Sequence, residues 1–282
     1  MPTSIKFKNF NACIVINSLV SFVIAYYFVV FSVNLFSIFL AKSLGFDAEL
    51  FFYGFILSGE NWTDDKVIVV FLLGNSFSLL LALIFERLYK KQRRYLKKQK
   101  IFFLWVYIIA LTWFLGNVIV GAIFNFGIGA AFNTLRMPFL IKAFLGLAAI
   151  FLLLFLGNKA QRHVMISANL YYPILPGRNV GNYFKHQIVM PAFLGILIII
   201  LFKVPYLGHF KYLDLYILLP LVFFIAGLYF RIGELGEISF KSRRSTGAKL
   251  KDIQCGLAYI PFIILFLILI IIRVGLRDGL TI

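Results

Sequence analysis

The stretch "GLAYIPFIILFLILIIIRVG" (residues 256–275) holds a single charge, Arg273. It is as long as the ~20 residues that cross the hydrocarbon core of a bilayer. A second run, "VMPAFLGILIIILFKVPYLG" (residues 189–208), has the same character. Such segments must satisfy every backbone N–H and C=O internally when water is absent, and a helix does this within one segment. Across the 282 residues, 62% are hydrophobic and 14% are charged, against roughly 25% charged in an ordinary soluble domain. A water-soluble fold is excluded, and the absence of period-two alternation over long segments excludes a membrane β-barrel.

Seven apolar segments predict an all-α integral membrane protein, with a bundle of about seven transmembrane helices in one polytopic domain spanning residues 1–282. The spans fall at about 10–41, 67–85, 101–126, 137–157, 188–207, 213–230 and 254–272. The first contains neither Gly nor Pro between Ile16 and Ala41 and exceeds the length a span needs, so it should tilt or project beyond the bilayer. The lysines ahead of it resemble a secretory n-region, but no small-residue cleavage site closes the apolar run; it reads as an uncleaved first span. The stretch after it, with the short apolar core "LFFYGFIL", is too short to cross and is expected to lie at the interface or to re-enter. The 160–187 stretch, broken by Pro173, Pro176 and Gly177, is expected to be a loop, interfacial or in solvent.

Charge placement sets the orientation. "ERLYKKQRRYLKKQK" (residues 86–100) contributes eight Lys and Arg residues, and with the N-terminus inside, 20 of the 28 basic residues fall on the inside. Lys and Arg near span ends, rather than net charge, govern insertion, so the N-terminus is predicted to be cytoplasmic and the C-terminus outside. The formal charge of +17 is therefore a record of topology, with attraction to anionic headgroups of about 1 kcal/mol per basic residue near the surface. Lys90, Lys91, Arg93, Arg94, Lys97 and Lys98 are the candidate contacts to anionic lipid or a partner. Nucleic acid is not expected as a partner, because one tyrosine, Tyr95, does not make a stacking platform.

Known catalytic patterns are missing. The three histidines, His163, His186 and His209, never form the His-Glu-x-x-His arrangement that binds zinc and activates water on one helix face. Cys13 and Cys255 have no metal-ligand spacing. No P-loop or Rossmann glycine motif occurs. No catalytic residue, metal or cofactor is therefore assigned. Asp214 and His186 are the residues a lipid- or peptide-directed enzyme would have to use.

Polar residues inside spans are costly and draw functional attention. In the third span, Asn117, Gly121 and Asn125 follow i, i+4, i+8 spacing and are expected to share a helix face. Asn75 in the second span is placed to partner them. Such a line of small and amide residues suits close helix packing with interhelical hydrogen bonds, and it would also suit a polar route. "LGN" recurs at residues 73–75, 115–117 and 156–158, without matching flanks.

Three functional expectations follow. The first is a non-enzymatic multi-pass subunit that packs with partner membrane proteins in a larger complex. The second is a small transporter or channel with its route along the third span, and the third is a membrane-embedded enzyme acting on lipid or peptide. The short-looped, Lys/Ile/Phe-rich character points to a bacterial inner (cytoplasmic) membrane.

Overall fold

The computed structural model describes residues 7–52, 54–58, 62–95, 98–203, 213–230, 232, 235–240, 259–277 and 279–281. Within them the chain is mostly helical. The long helices are α1 (Phe7–Ser43), α2 (Asp64–Gln92), α3 (Gln99–Ile123), α5 (Phe139–Ser167) and α6 (Gly177–Lys203). These five are long and apolar enough to cross a membrane, while Tyr216–Tyr229 and Ile263–Gly275 form shorter apolar helical stretches. The shorter elements are α4 (Ile128–Thr134), α7 (Leu213–Leu218), α8 (Leu221–Tyr229) and α9 (Tyr259–Gly275).

Helix α3 is the axis of the bundle. Eighteen of its residues are buried, and α1, α2, α4, α5 and α7 all pack on it. A helix that is apolar on every side is stable only where every side is covered by apolar material, and α3 receives protein on most of its circumference. Helix α5 is the opposite case, with Leu140, Phe144, Leu147 and Phe151 between 57% and 80% exposed.

Each glycine of the recurrent "LGN" triplets stands at a close approach of two helices. A Cβ on Gly74 would collide with the Ser37 side chain, one on Gly116 with the Ile217 carbonyl, and one on Gly157 with the Phe224 carbonyl. Gly157 and Gly227 meet where α5 crosses α8, the Cβ position of the first lying 3.2 Å from the Cα of the second. In lipid, where apolar burial supplies no drive between helices, small residues let backbones come close enough for dispersion to act. The triplet therefore marks contact points rather than a structural repeat.

Two small sheets close the ends of the bundle. At one end, β1 (Asp47–Phe51) and β2 (Gly54–Ser58) form an antiparallel hairpin, and β5 (Leu280–Thr281) pairs with β1 through Glu49 and Leu50. At the other end, β3 (Ile174–Leu175) pairs with β4 (Ile238–Ser239). The hairpin replaces the expected interfacial or re-entrant piece. Its alternation is visible in burial, since Ala48 and Leu50 face inward against Ile38 while Asp47 is exposed. Asp47 and Glu49 alternate with these inward residues along β1, Asp47 exposed and Glu49 half-buried.

Other expected boundaries shift for local reasons. The second span continues to Gln92, so Lys90 and Lys91 are helical, and Glu86 pairs with Lys90 one turn on at 2.7 Å. The third ends at Ile123, and Asn125 lies beyond the helix. The fourth runs ten residues past its expected end, because Ala160, Val164 and Met165 continue the buried face. Most of the expected 160–187 loop is thus helix or tight turn. Residues 213–230 are interrupted by a turn at Leu219 and Pro220. The beginning of the last expected span, residues 254–258, lies outside the described residues, as do residues 204–207.

Candidate functional site: an arginine-lined cleft at the basic end

The end of the bundle that carries residues 86–100 is tied together by polar contacts. Tyr89 donates its hydroxyl to the His163 carbonyl at 2.5 Å, and its ring meets the His163 imidazole edge-on. These contacts hold the last turn of α2 against the last turns of α5. Lys100, fully buried at the start of α3, donates to the Asn169 Oδ1 and, at 3.1 Å, to the Tyr95 carbonyl. Asn169 in turn donates its amide nitrogen to the Arg93 carbonyl at 3.0 Å. A buried cation demands oxygen partners, and here those partners are the turn between α2 and α3 and the 3-10 turn that follows α5. The backbone around Arg93 is thereby fixed.

This arrangement leaves a cleft of about 830 Å³, within the range of ~300–1,000 Å³ common for small-molecule sites. Arg93 and Arg94 form one side, α5 supplies Gln161, Arg162, Met165 and Ile166, and the turn that follows it supplies Asn169. Leu235, Ile238, Ser239 and Phe240 close it from the β4 segment, which the β3–β4 pairing holds in place. Three arginines therefore line one space, and no acidic residue lines it among the described residues. The nearby Glu86 is engaged elsewhere, by Lys90 at 2.7 Å and His163 at 3.8 Å. Gln161 is buried beside the cleft with its Nε2 donor lacking a hydrogen-bond partner, although buried donors are nearly always satisfied.

Chemically, the cleft presents planar forked donors suited to carboxylate or phosphate oxygens, with an apolar surface from Met165, Ile166, Leu235, Ile238 and Phe240 beside them. Of the expected basic contacts, Arg93 and Arg94 line the cleft, while Lys90, Lys91 and Lys98 are exposed on the same end. Lys97 lies outside the described residues. Sequence reasoning missed Arg162, Gln161 and Asn169, because residues 158–167 read as loop. The available signal was the i, i+4, i+8 spacing of Gln161, Met165 and Asn169.

The polar seam of the third span is organised differently. Asn117 is 3% exposed and donates to the Trp113 carbonyl one turn back at 2.9 Å. Gly121 sits against α4, and a Cβ there would lie 2.6 Å from the Gly129 nitrogen. Gly127, at φ +54°, turns the chain so that α4 folds back on α3; a Cβ on it would be 2.7 Å from Asn117 Oδ1 and 3.8 Å from Asn75 Nδ2. Asn75 and Asn117 thus converge on one turn, with Asn75 donating to the Phe71 carbonyl at 2.7 Å. Asn125 does not share their face. It is exposed and accepts from Asn133, whose own oxygen accepts from Lys142. The Asn117 amide is held by its own helix, and Gly121 serves the close packing of α4 on α3.

The residues considered for catalysis stay apart. His186 Nδ1 lies 2.7 Å from the Asn182 carbonyl of its own helix, and the side chain of Asp214 and all of His209 lie outside the described residues. Cys13 is buried, with Asn17 Nδ2 donating to its Sγ at 3.5 Å, and Cys255 lies outside the described residues. Lys203 is 1% exposed within the bundle. No three His, Cys, Asp or Glu side chains gather as a metal-binding group among the described residues. Comparisons of this chain with protein-family models, with curated proteins and with solved structures give no match.

Proposed function

We propose that this chain is a non-enzymatic, multi-pass membrane protein that holds an anionic group at its basic end and serves as a subunit of a larger membrane assembly. The observation that carries the reading is the convergence of Arg93, Arg94 and Arg162 on one cleft that no acid lines among the described residues. Guanidinium groups gathered in this way repel one another unless an anion is near, so an anionic occupant is the natural complement. Positive-inside placement puts this end in the cytoplasm and the hairpin end outside, with seven crossings and a bacterial inner membrane as the setting.

The subunit part of the reading draws on α5. Leu140, Phe144, Leu147 and Phe151 advance by four, three and four residues and are each more than half exposed, which is the spacing of a helix-packing seam. A transport route along Asn117 and Gly121 draws no comparable support, since that face is filled by α4.

Affinity purification from native membranes in mild detergent, with mass spectrometry of everything retained, tests the reading. It should recover a stoichiometric partner and an anionic companion, and the companion should be lost when Arg93, Arg94 and Arg162 are replaced by Ala. A chain that purifies alone, with the same retained molecules in wild type and variant, would sink it.

A further inference from the structure

We infer that the anionic group in the cleft is the phosphate of a membrane lipid, which enters from the bilayer with its glycerol and first acyl carbons against the apolar wall. This rests on the anion-binding reading above and narrows it.

Three observations carry the inference. The first is depth. Helix α5 and its terminal turn run from Phe139 to Leu170, and roughly 20 residues cover the hydrocarbon core. If the exposed Phe139 end marks one boundary, the turns bearing Gln161, Arg162, Met165 and Asn169 emerge at headgroup level. Lys159, one turn below Arg162's face, lies over the Phe155 ring at 4.4 Å, a cation reaching past an aromatic girdle as side chains do at the interface. The second is the division of the lining. Arg93, Arg94 and Arg162 offer donors, and Met165, Ile166, Leu235, Ile238 and Phe240 offer an apolar face within the same 830 Å³ space. A free anion needs only the donors; an amphiphile needs both. The third is the number of arginines, Arg93, Arg94 and Arg162, on one lining. A phosphate with its several acceptor oxygens accounts for more donors at once than a carboxylate does.

Three guanidinium groups also exceed the single charge of a phosphodiester. A phosphomonoester headgroup, as in phosphatidic acid, matches them better than phosphatidylglycerol, and the zwitterionic phosphatidylcholine matches them poorly.

Native mass spectrometry of the full chain in mild detergent tests this, using phosphatidic acid and phosphatidylcholine as lipid probes and glycerol phosphate as the soluble probe. The expected result is one phosphatidic acid per chain, at least tenfold weaker binding of phosphatidylcholine, and no displacement by glycerol phosphate at a hundredfold excess. Arg94→Ala with Arg162→Ala should reduce phosphatidic acid binding at least tenfold, and Ile166→Asn should reduce it while leaving any glycerol phosphate binding unchanged. Displacement by glycerol phosphate, with Ile166→Asn as wild type, would overturn the lipid assignment and leave the anion site standing. Equal binding of phosphatidic acid and phosphatidylcholine, or no binding of any probe, would overturn both. The soluble-competition arm uses the wild-type chain, so it decides between lipid and free anion even where a variant fails to fold.

Discussion

Asn169 donates its side-chain amide to the backbone carbonyl of Arg93 at 3.0 Å while its oxygen accepts from the buried Lys100 ammonium. One amide thus serves a cation on one side and a carbonyl on the other, and both the turn after α2 and the turn after α5 depend on it. Asn169→Ala leaves Lys100 with the Tyr95 carbonyl as its remaining described acceptor. A loss of about 1–3 kcal/mol is expected for a buried group deprived of its partner. Thermal unfolding in detergent should show a lower midpoint, and anionic-lipid retention should fall with it because Arg93 loses its anchor. An unchanged midpoint would show that the turn does not need this bridge.

The crossing of α5 and α8 has no room for a methyl group. Gly157→Ala should lower stability by about 1–3 kcal/mol, the usual cost of overpacking a tight contact, because a Cβ there meets the Phe224 carbonyl and lies 3.1 Å from the Leu228 nitrogen. Gly181→Ala is the matched control, since nothing lies within 4 Å of its Cβ position and helix propensity favours Ala by about 0.8–1 kcal/mol. Opposite signs in the two melting shifts are expected; two shifts of the same sign would mean that glycine matters at Gly157 for another reason.

Ser18 links three helices. Its hydroxyl donates to the Gln187 carbonyl in the π-turn of α6 at 2.5 Å and accepts from Trp105 Nε1 at 2.8 Å. Ser18→Ala strands the indole N–H in a fully buried setting, and Trp105→Phe removes that donor. The single Ser18 change should cost about 1–3 kcal/mol, and the double change should cost less than the sum of the two singles, as expected for residues sharing a bond. Strict additivity in a double-mutant cycle would place the bond's contribution near zero.

Single cysteines report sidedness directly. In a background with Cys13 and Cys255 replaced by Ser, a cysteine at Lys91 and one at Ser239 should react with an impermeant maleimide from the same face of the membrane. A cysteine at Ser58 should react from the opposite face. Arg93 and Ser239 line one cleft, which puts Lys91 and Ser239 at one end, while Ser58 pairs with Asp47 just beyond the other end of α1. Labelling of Lys91→Cys and Ser58→Cys from one face would contradict the reading of the bundle as membrane-spanning.

The apolar segments were legible because hydrocarbon imposes a simple demand on length and polarity. The central place of α3 was not, since Trp105, Ile109 and Leu104 look no different in sequence from the exposed Phe144 and Phe151. The hairpin escaped notice because five residues of alternation in "DAELF" are a weak signal beside thirty-residue apolar runs. At the cleft, Arg93 and Arg94 stood out as part of a basic run, but Arg162 and Asn169 did not, because the polar residues after Gly157 suggested that the helix had ended. Helix continuation there is decided by Val164 and Met165 finding cover, which is a tertiary fact. The "LGN" triplets were noticed for the wrong reason: Gly74, Gly116 and Gly157 share a physical task without sharing an ancestry visible in their flanks.

The strand pairing of Glu49 and Leu50 with Thr281 and Leu280 joins a hairpin to a strand that follows it by more than two hundred residues. Translation proceeds at about 5–20 residues per second, so β1 waits many seconds with one edge unpaired while the intervening helices insert. An unpaired edge is a template for the wrong strand, and the acidic residues Asp47 and Glu49 on that edge carry the charge that discourages a premature match. The edge is then closed by a zipping event that must wait for α9, and a ribosome that stalls within α9 would leave a hairpin open to a neighbour's.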